Sequence, residues 1–210
     1  MNAIQYTITI ESAVLGGSCC LSNGTEIVAE ERGSGGVSRA EDLLSDIDSI
    51  LKANALAPSA ISNIVVSAGP GSFTGIRIGI ATALGFASGL GIASIQVSLL
   101  EAMAVASTDI EPCLVAVPAG RGMAHYAVFA ISDDAIVYIT EPSAAKIEDL
   151  FSESNCSNIT VFQDHFDNEL LDSFAGNVLS LEQTPAATLA IAAFDKRVRR
   201  NVEPLLIAKA

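Results

Sequence analysis

Tryptophan is absent, aromatic residues make up 5% of the 210, and histidine occurs only twice. A surface built to stack nucleic-acid bases is therefore not expected. Cations are scarce as well: 11 Lys and Arg stand against 24 Asp and Glu, a formal charge of −13. That balance argues against direct binding of a phosphate backbone, which needs clustered cations to displace counterions. The two histidines, His125 and His165, lie far apart in the chain and supply neither the paired ligands nor the neighbouring Glu of a zinc peptidase. The four cysteines, Cys19, Cys20, Cys113 and Cys156, contain no Cys-x-x-Cys pair. Free, buried thiols in a reducing compartment are expected, with no metal bound. Residues 1–10 carry no basic stretch and no small-residue cleavage site, so a cytoplasmic location is expected.

Apolar residues, by contrast, are half of the chain, and the mean hydropathy is +0.46. A chain of this length and composition builds a sizeable core and does not stay disordered. Between Ile78 and Leu100 there is no charge at all, and Gly85-x-x-x-Gly89 has the spacing of a membrane helix-packing motif. Gly89 and Gly91 interrupt that stretch, however, and Ile92–Val97 reads as a strand. The expectation is a buried core helix rather than a membrane span.

Periodicity gives short β-rich runs at Ile4–Ile10, Gly17–Leu21 and Glu26–Glu31, with a hairpin signal at Asn23-Gly24. A helix follows over Ser38–Lys52, where Leu43, Leu44, Ile47, Ile50 and Leu51 fall at helical spacing and Ser38 with Glu41 forms a capping box. Then come a strand (Ile61–Ser67), a helix (Phe73–Ser88), a strand (Ile92–Val97) and a helix (Leu99–Ala106). The second half repeats the order. Its strands are Cys113–Val117, Ala124–Ile131, Ala135–Thr140, Ile159–Phe162 and Val178–Ser180, and its helices are Ala144–Phe151, His165–Phe174 and Thr184–Arg199, the last ending in a basic turn. The break falls near Thr108–Pro112, so residues 1–108 and 109–210 read as two α/β lobes with mixed sheets flanked by helices.

The least generic segment is Gly69-Pro70-Gly71-Ser72-Phe73-Thr74-Gly75-Ile76-Arg77-Ile78-Gly79. It leaves a buried strand and opens a helix that Ser72 or Thr74 can cap. Such helix starts often hold anions. The lysine of a phosphate loop and the third glycine of a dinucleotide fingerprint are missing, though, so close packing of helix on sheet stays open beside an anion site. Glycines inside the helix each cost about 1 kcal/mol against alanine, which implies that another helix or backbone comes close. Arg77, the one charge between Ile64 and Leu100, is read as paired or as a surface side chain.

This segment, running on through Ile80, Ala81, Thr82 and Ala83, resembles the signature of the TsaB (YeaZ) family, partner proteins in bacterial tRNA threonylcarbamoyladenosine synthesis. Leu43-Leu44-x-x-Ile47 is similar to the family's first-helix motif. Arg121 with Tyr126–Phe129 is similar to its Asp-Ala-Arg strand, and Glu203–Leu206 to its C-terminal Pro-Leu-Tyr element. The resemblance implies a duplicated two-lobe fold of the actin/Hsp70-like ATPase (ASKHA) type, each lobe running three strands, helix, strand, helix, strand, helix. It also implies a scaffold that pairs with a catalytic TsaD-type protein, meets a TsaE-type ATPase through that complex, forms homodimers through its first lobe, and touches tRNA only indirectly.

The chain departs from the family pattern where acids matter. Glu11-Ser12-Ala13 stands where the family has Asp-Thr-Ser, a turn that contacts phosphates and metal in the working ATPases. Arg39-Ala40 replaces His-Ser, Ser45 a proline, Ala119 an aspartate, and Ala124 a glutamate. A vestigial nucleotide site at Glu11 and Ser12 is all that remains, and neither catalysis nor a bound cofactor is expected. A serine hydrolase built on Ser72 lacks its Gly-x-Ser-x-Gly elbow. The first-lobe helices are expected to dock a partner through Leu43, Leu44, Ile47, Ile76, Arg77, Gly79, Ile80 and Leu84, small residues letting the axes come close. The competing reading is an independent nucleotide-hydrolysing enzyme of the same fold.

Overall fold

The computed structural model describes residues 5–14, 16–33, 40–107, 112–152 and 156–206. Ser38, with its capping box, Arg39 and most of the break after Ser107 lie outside those residues. The first half forms a sheet from β1 (Tyr6–Glu11), β2 (Ser18–Asn23), β3 (Glu26–Arg32), β4 (Ile61–Ser67) and β5 (Ala93–Val97), in the order β3-β2-β1-β4-β5. The second half forms another from β6 (Cys113–Gly120), β7 (Met123–Ile131), β8 (Ile136–Lys146), β9 (Asn158–Phe162) and β10 (Asn177–Leu181), in the order β10-β9-β6-β7-β8. Both put the first strand of the half in the middle. It pairs antiparallel with the hairpin strand beside it and parallel with the strand that returns from a helical crossover. The duplication expected from element order is thus a duplication of topology, as the actin/Hsp70-like fold requires.

The helices are α1 (Ala40–Ala53), α2 (Phe73–Leu90), α3 (Leu99–Ala106), α4 (Ile147–Ser152), α5 (Asn168–Asp172) and α6 (Pro185–Ala192), with one 3₁₀ turn at Pro58–Ala60. On the outer face of the first sheet, α1 lays Leu43, Ile47, Ile50 and Leu51 against Ile8, Ile10 and Leu21, beside Ala83 and Ala87 of α2. On the outer face of the second, α4 and α5 close over Leu114, Val128, Ile159 and Val161. Between the sheets the helices cross over. α3, which follows β5, packs on β6 to β9, whereas α6, which follows β10, packs on β1 to β4, and the two helices touch. One apolar cluster therefore runs from Val65 and Val97 through Leu99 and Met103 to Val115, Phe129 and Leu189.

Several sequence expectations shift. The hairpin turn is Gly24-Thr25, because Asn23 pairs with Glu26 as the last rung of the ladder. β8 runs on to Lys146, so the helix read from Ala144 starts at Ile147. α6 stops at Ala192, not Arg199. Beyond it Arg197 pairs with Asp195, Lys196 with Asp134 and Arg199 with Glu101, so three of the four bases in Lys196–Arg200 meet carboxylates and the cluster does not cap a helix. α2 also differs from the buried core helix expected, since it is 18 residues long and apolar enough to cross a membrane, yet only 28% of it is buried. The buried side is Gly75, Ile76, Gly79, Ala83 and Ala87. Cys19, Cys20 and Cys113 are buried free thiols, and burial pushes the first two up to about 12.

Candidate functional site

The signature turn sits at the carboxyl end of β4. The Gly69–Pro70 bond is cis, and Ser72 caps α2 by accepting a hydrogen bond from the Gly75 N–H at 3.3 Å. What lies against this helix start is the chain's own β1–β2 turn. The Ser72 N–H donates to the Ala13 carbonyl at 2.7 Å, and the Ser12 hydroxyl donates to the Gly75 carbonyl at 2.8 Å. A Cβ added at Gly75 would stand 2.1 Å from the Ser12 carbonyl oxygen, and one at Gly79 would stand 2.4 Å from Ser12 Oγ. These two glycines exist so that the turn can lie on the helix. The close approach inferred from sequence is real there, and its cause is internal. At Gly85 and Gly89 a Cβ would meet nothing within 4 Å.

Glu11 closes the other side of that turn. Its side chain is fully buried, and its Oε1 accepts from the N–H groups of Ala13 at 2.6 Å and Val14 at 3.1 Å. Oε2 has no partner. Burial pushes the carboxyl up to about 7, against the pull of the three backbone N–H groups from Ser12 to Val14. The donors that a phosphate would need at this turn thus already serve a carboxylate of the same chain. Among the described residues, no group of three or more His, Cys, Asp and Glu side chains could hold a metal ion.

The eight residues read as a docking face divide. Leu43, Ile47, Ile76 and Gly79 are buried in the first lobe, which corrects that expectation. Helical spacing finds an apolar stripe but not what covers it, and here the sheet covers theirs. Leu84 is 52% and Leu44 is 55% exposed, Arg77 is exposed and Ile80 half-buried. Phe73, expected only as part of the turn, is 47% exposed, and the Arg77 guanidinium lies 3.7 Å above its ring. Arg77 is therefore a surface side chain with an aromatic partner, and Phe73, Arg77, Ile80 and Leu84 share one exposed face of α2.

Sequence reasoning missed a second cluster. Glu101, the one acid in α3, is 1% exposed and takes the Arg199 guanidinium at 2.7 Å, the Arg199 N–H at 3.1 Å and the Tyr138 hydroxyl at 3.1 Å. Burial, then the Glu101 charge, raises the Tyr138 phenol to about 12. From this anchor the C-terminal segment returns to the first sheet, where Asn201 donates to the Gln96 carbonyl and Leu205 to that of Ala68, both at 2.8 Å. The Pro204–Leu206 element is thereby laid beside the signature turn. A lone Glu in an otherwise apolar helix was the signal available for it.

Duplicated five-stranded sheets with crossed inner helices, joined by strand–turn–helix corners, define a protein of the actin/Hsp70-like ATPase fold. The chain is similar in structure to YeaZ from Pseudomonas aeruginosa (19% identity, TM-score 0.65, 91% of this chain and 92% of that one). It is also similar to the activator of 2-hydroxyisocaproyl-CoA dehydratase from Clostridium difficile (12%, TM-score 0.54, 92% and 95%) and to the ethanolamine utilization protein EutJ from Carboxydothermus hydrogenoformans (13%, TM-score 0.52, 93% and 91%). No curated protein matches it in sequence. Residues 36–203 match the model of TsaD, tRNA N6-adenosine threonylcarbamoyltransferase. The chain belongs to that family, as a TsaB/YeaZ-like member.

Proposed function

We propose that this chain is a non-catalytic subunit of the machinery that makes threonylcarbamoyladenosine in tRNA, and that it docks through the exposed face of α2 onto a TsaD-type partner that carries the transfer chemistry. The observation that carries the reading is α2 itself, a long apolar helix with only 28% of its residues buried. On its outer side Phe73 and Leu84 are about half exposed, and Leu44 of α1 adds to them. Apolar surface of this kind on one continuous helix is a partner face in waiting. A stable interface there buries about 1,200–2,000 Å² in total. A homodimer of the isolated chain uses the same face, a TsaE-type ATPase joins through the partner, and tRNA is held by the partner, since three of the four bases in this chain's basic cluster meet its own carboxylates. A chain without a cofactor is the reading supported by the β1–β2 turn, where Glu11 accepts from the Ala13 and Val14 N–H groups. The chain works in the cytoplasm, where the partner meets tRNA.

Leu84→Glu and Arg77→Glu are the variants that test it. Both side chains are exposed, so circular dichroism and melting should match the parent, while size-exclusion chromatography with the TsaD-type protein should show the complex lost. A complex that survives both changes rejects this surface. Magnesium-ATP turnover by the purified chain alone rejects the non-catalytic reading and favours an independent nucleotide hydrolase.

A further inference from the structure

The two halves share one topology but not one helix cover. On the first sheet α1, 14 residues long, lies over β2 and β3. Its counterpart in the second half, α4, has six residues and packs against β8. Among the described residues, what α1 covers on the first sheet is covered only in part on the second. A groove of about 460 Å³ lies there, lined by Leu114 of β6, Tyr126 and Val128 of β7, Ile139 of β8, Leu150 of α4 and Cys156. Beside it Val137 is 57% and Ile139 is 59% exposed on an edge strand. The register of β8 on β7 breaks on either side of Val128. Such bulges bend an edge strand and deter pairing with a further strand, so it is the sheet face, not its edge, that is open.

We propose that this face receives a basic amphipathic helix of a partner protein, laid over β7 and β8 beside α4 in the place that α1 takes on the first sheet. The molecule supplies the precedent itself, because the same pair of strands in its other half is roofed by a helix. Charge selects the partner. Glu141, Glu148 and Asp149 are exposed on the β8–α4 stretch against the single base Lys146, and the whole chain carries −13. A second copy would bring like charge to this rim, whereas lysines flanking an apolar stripe complement it. The described residues that line the groove run from Pro112 to Leu150, with Cys156, and include none of α2, so the proposal does not depend on the α2 docking face.

The test is a titration of the isotopically labelled full chain, followed by NMR, with a Leu/Lys amphipathic helical peptide matched to the 14 residues of α1. Saturable shifts are expected at Val128, Ile139, Thr140 and Leu150. Ile139→Glu, at an exposed position that leaves the fold intact, should weaken binding by about tenfold or more, equivalent to 1.4 kcal/mol, while Leu84→Glu should leave it unchanged. Absence of saturable shifts, shifts centred on α2, equal affinity in Ile139→Glu, or equal binding of the same peptide with Glu in place of Lys each overturns the proposal.

Discussion

Glu11→Gln is expected to stabilise the folded chain at alkaline pH and to change it little near pH 5. The buried carboxyl titrates at about 7 in the folded chain, against 4.5 for the free group. Between those values the folded state holds a proton that the unfolded state has lost, so stability falls as pH rises through that window. Above pH 8 the full difference of 7 − 4.5 = 2.5 applies, a cost of about 3 kcal/mol at 1.36 kcal/mol per unit. Glutamine removes it. Its carbonyl can accept the same N–H groups of Ala13 and Val14, and its amide takes the place of Oε2, which has no partner in the parent. For a chain of this size the gain at pH 8.5 corresponds to roughly 6–12 °C in Tm. His165 titrates the other way. Burial and the nearby Arg32 guanidinium pull it down to about 4, so its contribution is lost as pH falls from 6.5 toward 4. That slope is common to both proteins and cancels in their difference. Urea or thermal unfolding of the pair at pH 5 and pH 8.5 measures it, and a difference that is independent of pH, or that grows toward acid, refutes the desolvated carboxyl.

The glycines of α2 should separate by position. Gly75→Ala and Gly79→Ala press a methyl onto Ser12 and are expected to cost about 1–3 kcal/mol in urea unfolding, whereas Gly85→Ala, facing open space, should gain up to about 1 kcal/mol. Equal effects at all three would undo the account of the turn lying on the helix. Arg199→Ala takes a largely exposed guanidinium from the buried Glu101 carboxylate, which keeps the residue-199 N–H and the Tyr138 hydroxyl, and should destabilise by about 1.5–3 kcal/mol. Tyr138→Phe, which removes only one hydrogen bond, should cost about 1 kcal/mol. Chemical denaturation of both variants at neutral pH reads this, and a loss in Arg199→Ala no larger than in Tyr138→Phe counts against a stabilising ion pair.

Much of the molecule was legible in the sequence. The period of Leu43, Ile47, Ile50 and Leu51 and the β-branched run Ile61–Ser67 are local signals, and a helix or strand is chiefly a local decision. The doubled order of elements carried the topology, because short connections and right-handed crossovers leave few ways to pair such strands. Ser72 as the cap of α2 was readable for the same reason. The docking residues were legible only by half. α2 carries one charge, Arg77, among small and apolar residues, and so weak a polar face leaves its periodicity unable to say which side meets the sheet. That choice falls to the glycines pressed on Ser12.

Residue order by itself therefore determined the strands, the helices and their duplicated arrangement, since each rests on interactions within a few neighbours and on chain connectivity. Only the tertiary structure decided the rest. It set α3 and α6 on each other's sheets, joined Glu101 to Arg199 across 98 residues, and wrapped the β1–β2 turn around its own glutamate at a helix start that sequence alone left open to an anion. Those outcomes depend on which surfaces exclude water from one another, and no local stretch of chain contains that information.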